Sequence, residues 1–179
     1  MSDTAPPEIH TPRKLTIWQQ NLGKSLDTQS DLLHSLKLKH YDIATLKEPY
    51  IDFRGRSRAT LHWHVLYPTL HSHSERITQA VTLVNTRLPT DTWTQIPINS
   101  SDIVGLQLHG DFGTIWLINI YNDGDHNKVL QALSKHMHDP TARSYPARPL
   151  HYIWMGDFNH QSLLWDEERN EHLFTPHAL

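Results

Sequence analysis

Four apolar stretches of this chain end in polar residues that interrupt their pattern. The ends are Gln20–Asn21, Glu48, Tyr121–Asn122–Asp123 and Asp157–Phe158–Asn159. Each stretch reads as a strand, and in α/β sheets ligands bind where the loops at the carboxyl ends of strands converge. Brought together, these ends supply the Glu48 and Asp157 carboxylates, the Asn21 and Asn159 amides and the Tyr121 phenol. Carboxylates suit a hard divalent ion such as Mg²⁺, which typically takes one or two of them plus waters and substrate phosphate. Taken singly, each residue is as well explained as a solvated turn residue, and GDFN alone is a good turn. Their number and order along the chain carry the chemical reading.

Other residues offer less. Arg54, Arg56 and Arg58, in RGRSR, suit a nucleic-acid backbone and equally suit a solvated loop. His62 and His64, like His71 and His73, would share a strand face and suit Zn²⁺. With fifteen histidines in the chain, surface imidazoles are the preferred reading of those pairs, and of His136 and His138. Trp63 and Trp93 are read as core or sheet-packing residues rather than base-stacking platforms.

The positioning elements follow from periodicity. Residues 14–21 (KLTIWQQN) predict a strand, with Leu15 and Ile17 alternating with Thr16 and Trp18. Ser25 predicts the N-cap of a helix running to about Lys39, with Leu26, Leu33 and Leu36 on its apolar face. Residues 41–46 (YDIATL) predict the next strand and close a strand–helix–strand crossover. Strands are also predicted over 62–67, 80–87 and 93–98, where Pro97 suits a sheet edge. Residues 102–108 and 114–121 flank the turn HGDFG and predict a hairpin. A second helix is predicted over 126–138, and a last short strand, 151–155 (HYIWM), runs into GDFN. Early and late helices around a block of strands predict an α/β domain of two sheets flanked by helices.

Composition bounds the rest. A length of 179 residues suits one domain, expected over 14–179, with 1–13 a flexible polar tail. The absence of cysteine excludes disulfides, thiolate nucleophiles and cysteine-ligated zinc. There is no run of eighteen apolar residues, so no membrane-spanning helix and no membrane partner are expected. The formal charge of −3 means that binding to nucleic acid must come from a local patch or a metal-bridged phosphate.

In order, WQQN (18–21), LKEPY (46–50), NIYND (119–123) and MGDFN (155–159) resemble motifs of the endonuclease/exonuclease/phosphatase superfamily. The continuation HQSLLWDEERNEHLFT (160–175) is similar to the endonuclease domain of non-LTR, LINE-type retrotransposons, particularly the fungal lineage. The likeness spans roughly residues 14–175. It implies a four-layer, DNase I-like β-sandwich and a DNA endonuclease cutting a phosphodiester with Mg²⁺ or Mn²⁺. By position, Glu48 resembles the family's metal-binding glutamate, and Asn21 the asparagine that supports metal and phosphate. Tyr121 resembles the phenol lying against the scissile phosphate. Asp157 resembles the aspartate that orients or deprotonates water, and Asn159 the amide that helps hold the phosphate. Arg54, Arg56, Arg58 and His160 are added as candidate substrate-binding residues. The resemblance further implies DNA as partner, a parent polyprotein with reverse transcriptase, and an intracellular, nuclear setting.

The sequence departs from the family in two places. No Asp-His pair of the family's terminal kind follows Asn159, and Gln161 stands where the lineage commonly has histidine. The chain is therefore expected to be truncated, with its fold incomplete at the C-terminal side, an uncovered apolar edge and weak or no activity. A non-catalytic remnant, and a phosphatase or phosphodiesterase of a smaller ester, are the alternatives.

Overall fold

The first strand, β1 (Ile17–Asn21), leads through a short turn into helix α1 (Leu26–Ser35), capped by Ser25, whose hydroxyl accepts from the Thr28 amide. This is the predicted cap, and it satisfies one of the amides a helix start leaves unpaired. The chain returns as β2 (Ile43–Lys47), parallel to β1 in the register Asn21↔Lys47. Strands β3 (Trp63–Leu66) and β4 (Ala80–Asn85) complete a sheet of order β1-β2-β4-β3. A second sheet, β5-β6-β7-β8, follows: β5 (Trp93–Ile96), the hairpin β6 (Ile103–Gly110) and β7 (Gly113–Tyr121), then β8 (Leu150–Asp157). Helix α2 (Lys128–His138) crosses over from β7 to the parallel β8. This computed structural model describes residues 14–73, 76–111, 113–124, 127–139 and 150–159. The expected N-terminal tail, His160 and the 160–175 motif lie outside the described residues.

Three cores stack these elements into four layers. Leu32 and Leu36 pack on Ala44, Leu46, Val81 and Leu83, which places α1 against the outer face of the first sheet. Ile43 and Val84 meet Val104, Leu106 and Leu117 between the sheets. Trp116, Ile118 and Ile120 meet Val129 and Leu133 of α2 on the far side. Because strand side chains alternate faces, β2, β4 and β7 are covered on both sides and read as nearly continuous apolar runs. A buried leucine in such a layer contributes roughly 2–5 kcal/mol relative to alanine. The predicted two-sheet sandwich with outer helices is the observed fold.

Some expectations needed correction. Helix α1 ends at Ser35 rather than near Lys39, because Leu36 leaves the helical path (φ −63°, ψ 96°) and enters the core. His71–His73 form a single 3₁₀ turn, not a strand, so these imidazoles share no strand face. His71 instead stacks on Tyr67, ring centroids 4.3 Å apart, and its Nε2 donates to the Gly55 carbonyl at 2.6 Å. Trp63 is buried in the core, as read from the sequence.

Candidate active site

Each sheet contributes one parallel pair, β1/β2 and β7/β8, and parallel strands deliver their carboxyl ends to the same edge. The register sets Asn21 beside Lys47, so Glu48 follows directly, and sets Tyr121 opposite Asp157. Asp157 is the last residue of β8, which runs two residues beyond the predicted strand and carries the carboxylate on sheet rather than loop. Gly156 allows this close pairing: a Cβ there would collide with the Ile120 carbonyl of β7.

The four ends meet. The Asn21 amide nitrogen donates to Glu48 Oε1 at 3.2 Å and to Asp157 Oδ2 at 3.5 Å, linking the two sheets through one side chain. The Tyr121 hydroxyl donates to the same Glu48 oxygen at 3.3 Å. Asn21 Oδ1 accepts from the Gly23 amide at 2.9 Å, which fixes which way the side-chain amide points. Glu48 has a left-handed backbone (φ 45°), a conformation that strains residues with a Cβ. Its amide donates to the Gln79 carbonyl and its carbonyl accepts from the Lys24 amide, both at 2.8 Å, and these bonds hold the strained turn.

Asn159, also left-handed (φ 43°), uses its side-chain amide differently. It donates to the Asn122 carbonyl at 2.7 Å, while buried Asn122 donates its own amide to the Phe158 carbonyl at 2.8 Å. The Asn159 backbone amide donates to Asp157 Oδ1 at 3.2 Å. Gly124 lets the next loop lie against this turn, since a Cβ there would come within 2.6 Å of the Asn159 carbonyl. Asn159 therefore ties the β8 end to the β7 end and braces Asp157.

Burial, then the charge of Glu48 and its hydrogen bond, push the Tyr121 phenol up to about 12, so it stays a protonated donor at neutral pH. Beneath the cluster lies Lys47, 1% exposed, whose ammonium donates to Thr45 Oγ1 at 3.2 Å. Burial pulls it down from 10.5 to about 7, with the Asp157 carboxylate acting in the opposite sense. Thr45, Lys47, Thr82 and Asn119 are all buried on the inter-sheet side, so that layer turns polar toward the site. A lysine closing an apolar strand reads as a solvated stop, so sequence reasoning did not single it out. Asn122 stood only as part of a strand end, and nothing in its type announced its bracing role.

Of the remaining candidates, Arg54 lines a cleft shared with Arg76, whereas Arg56 and Arg58 are exposed on the same loop. Arg76 pairs with Asp123 at 3.1 Å and also lines a cavity of about 300 Å³ that reaches Tyr121. Among the described residues, no group of three or more His, Asp or Glu gathers as a metal cage. The donor set of Glu48, Asp157 and a nearby amide still fits Mg²⁺, which completes its shell with water and phosphate. Neither carboxylate forms a salt bridge with a described residue, which leaves both able to meet a cation.

No family model and no curated protein sequence matches this chain. Solved structures are similar to it, two of them as follows. The endonuclease domain of TRAS1, a telomere-specific non-LTR retrotransposon, aligns with TM-score 0.60 and 21% identity over 89% of this chain and 68% of that one. A humanized D. rerio TDP2 aligns with TM-score 0.50 and 13% identity over 90% of this chain and 68% of that one. These likenesses show one architecture, a DNase I-like sandwich of two sheets between outer helices, which is the fold that the four motifs imply.

Proposed function

We propose that this domain hydrolyses phosphodiesters of DNA with a divalent metal, as a retrotransposon-type endonuclease. The observation that supports this most is the shared amide of Asn21, which gathers the Glu48 and Asp157 carboxylates beside a protonated Tyr121. Glu48 would hold Mg²⁺ or Mn²⁺, which supplies charge neutralisation at the phosphate when bound. Asp157, braced by Asn159, is placed to accept a proton from the attacking water. Asn21 and Tyr121 are the fixed donors available to phosphate oxygens, preorganised by bonds they make without substrate.

A second reading is a domain that binds metal and DNA without cutting. Supercoiled-plasmid nicking with enzyme in excess, in Mg²⁺ or in chelator, separates the two. Slow metal-dependent nicking, lost in Asp157→Ala, supports hydrolysis. Binding without nicking supports the second reading, and turnover of a small phosphomonoester in place of plasmid would move the substrate class. Metal titration gives an activity-free check. Glu48→Gln is expected to weaken Mn²⁺ binding at least about tenfold, whereas exposed Asp111→Asn leaves it unchanged. Equal affinity in all three proteins would remove Glu48 from the metal site.

A further inference from the structure

Phe53 is the most exposed large apolar side chain among the described residues, at 93%, yet it sits on a tightly braced loop. Gln29, buried in α1, accepts from the Tyr50 amide at 2.8 Å and donates to Ser57 Oγ at 2.8 Å and the Arg58 carbonyl at 2.6 Å. Both stems are thus pinned to the same side chain. Asp52 Oδ1 accepts from the amides of Arg54 and Arg56, at 2.9 and 2.8 Å, and so closes the tip. The Tyr67 hydroxyl accepts from the Ser57 amide at 2.7 Å, and His71 donates to the Gly55 carbonyl. A loop fixed at both stems and at its tip holds Phe53 in water without help from the core.

Its surroundings are specific. The Arg54 guanidinium lies over the Phe53 ring, 5.2 Å from its centroid. Phe53 and Arg54 line a cleft of about 490 Å³ together with Ile77, itself 62% exposed, and Arg76. That volume falls within the ~300–1,000 Å³ of pockets that hold small organic ligands. Arg76 also lines the cavity that reaches Tyr121, so it borders both the cleft and one flank of the proposed hydrolytic site. An aromatic ring and a branched aliphatic chain on the walls of one cleft, rimmed by guanidinium groups, fit one flat aromatic group attached to an anion.

We propose that this cleft takes an unpaired base of the substrate strand, stacked on Phe53 against Ile77, with Arg54 and Arg76 on the adjoining phosphates. The inference rests on the DNA-hydrolase reading and names what that site recognises: DNA with a base out of its stack, rather than a uniform duplex. Base–aromatic stacking tolerates any base, because every base has a π-face. Recognition would therefore be of helical disruption rather than of sequence.

The test uses the full chain in chelator and two fluorescein-labelled DNA probes, a fully paired 20-mer and the same duplex with one bulged nucleotide. Wild type is expected to bind the bulged probe on the order of tenfold more tightly. Phe53→Ala is expected to lose that preference and Phe53→Trp to keep it. Arg54→Ala is expected to weaken both probes alike and lower the salt slope by about 1. Phe53 lies outside all three cores, so its substitution leaves the fold intact, which far-UV circular dichroism verifies. Equal binding of the two probes by wild type, or a bulge preference that survives Phe53→Ala, overturns this inference and leaves the DNA-hydrolase reading standing. Failure of wild type to bind either probe in chelator also overturns this inference, and failure again with Ca²⁺ in place of chelator overturns the DNA-hydrolase reading as well.

Discussion

Lys47 shows how one side chain sets the energy of this site. It is wholly buried beneath two carboxylates, and burial lowers its pKa to about 7 although Asp157 pulls the other way. The folded-state value lies below that of the unfolded chain. Between about pH 7 and 10.5 the unfolded chain therefore holds a proton that the folded chain has released. Stability should rise with pH through that window, by up to ~1.4 kcal/mol per pH unit. Below pH 7 both states are protonated and the penalty is constant. Lys47→Met removes the buried charge and keeps the length of the side chain. It should raise the urea midpoint at pH 7 and flatten the difference between pH 7 and pH 10, both measured in chelator. A variant whose midpoints track wild type at every pH would show that the ammonium is better solvated than its burial implies.

At the scale of elements, local signals were legible and packing signals were not. Ser25 announced the helix start because an N-cap acts within three residues. The GD of MGDFN marked a strand end, but its assignment to strand or turn depended on pairing with β7, which no local pattern encodes. The pair His71 and His73 has the spacing of a strand face and forms a 3₁₀ turn, because Tyr67 and Gly55 capture the His71 ring. The candidate site was foreshadowed by its strand ends, whereas Lys47 and Asn119 take their meaning from the packing of one sheet on the other. Asn119 lies on β7 with no exposure, and its amide donates across to the Val81 carbonyl at 3.0 Å and to Thr82 Oγ1 at 3.2 Å on β4. It is a polar clasp between the sheets, two residues before Tyr121. Asn119→Ala would remove the bonds from β7 to β4 and open a void between the sheets, at a cost of about 2–3 kcal/mol. For a chain of this size that corresponds to a Tm lower by roughly 4–12 °C. A Tm within 1–2 °C of wild type in differential scanning calorimetry would show that Asn119 does not hold the sheets together.

The whole molecule poses an electrostatic problem for the proposed substrate. Its formal charge is −3 with histidines neutral, and DNA repels a net anion. Two features offset this locally. Arg54 and Arg76 line one cleft, and Arg56 and Arg58 are exposed on the loop that carries Arg54, so positive charge is gathered on one part of the surface. A bound divalent ion would in addition reverse the sign at the carboxylates. The third contribution is conditional. Imidazole in water titrates near ~6.5, and four protonated histidines of the fifteen outweigh the formal charge. Lowering the pH from 8 to 6 at constant ionic strength therefore moves the net charge of this histidine-rich chain upward. Without metal, affinity for a paired 20-mer is expected to rise by about tenfold over that interval. The gain should shrink as salt is raised from 50 to 200 mM, because it is electrostatic and acts through counterion release. A fluorescence anisotropy titration at four pH values and two salt concentrations measures both effects. An affinity flat with pH would place the histidine-rich surface away from the DNA and leave binding to the arginine loops alone. A pH-dependent gain that persists at high salt would point instead to a short-range contact made by one protonated imidazole.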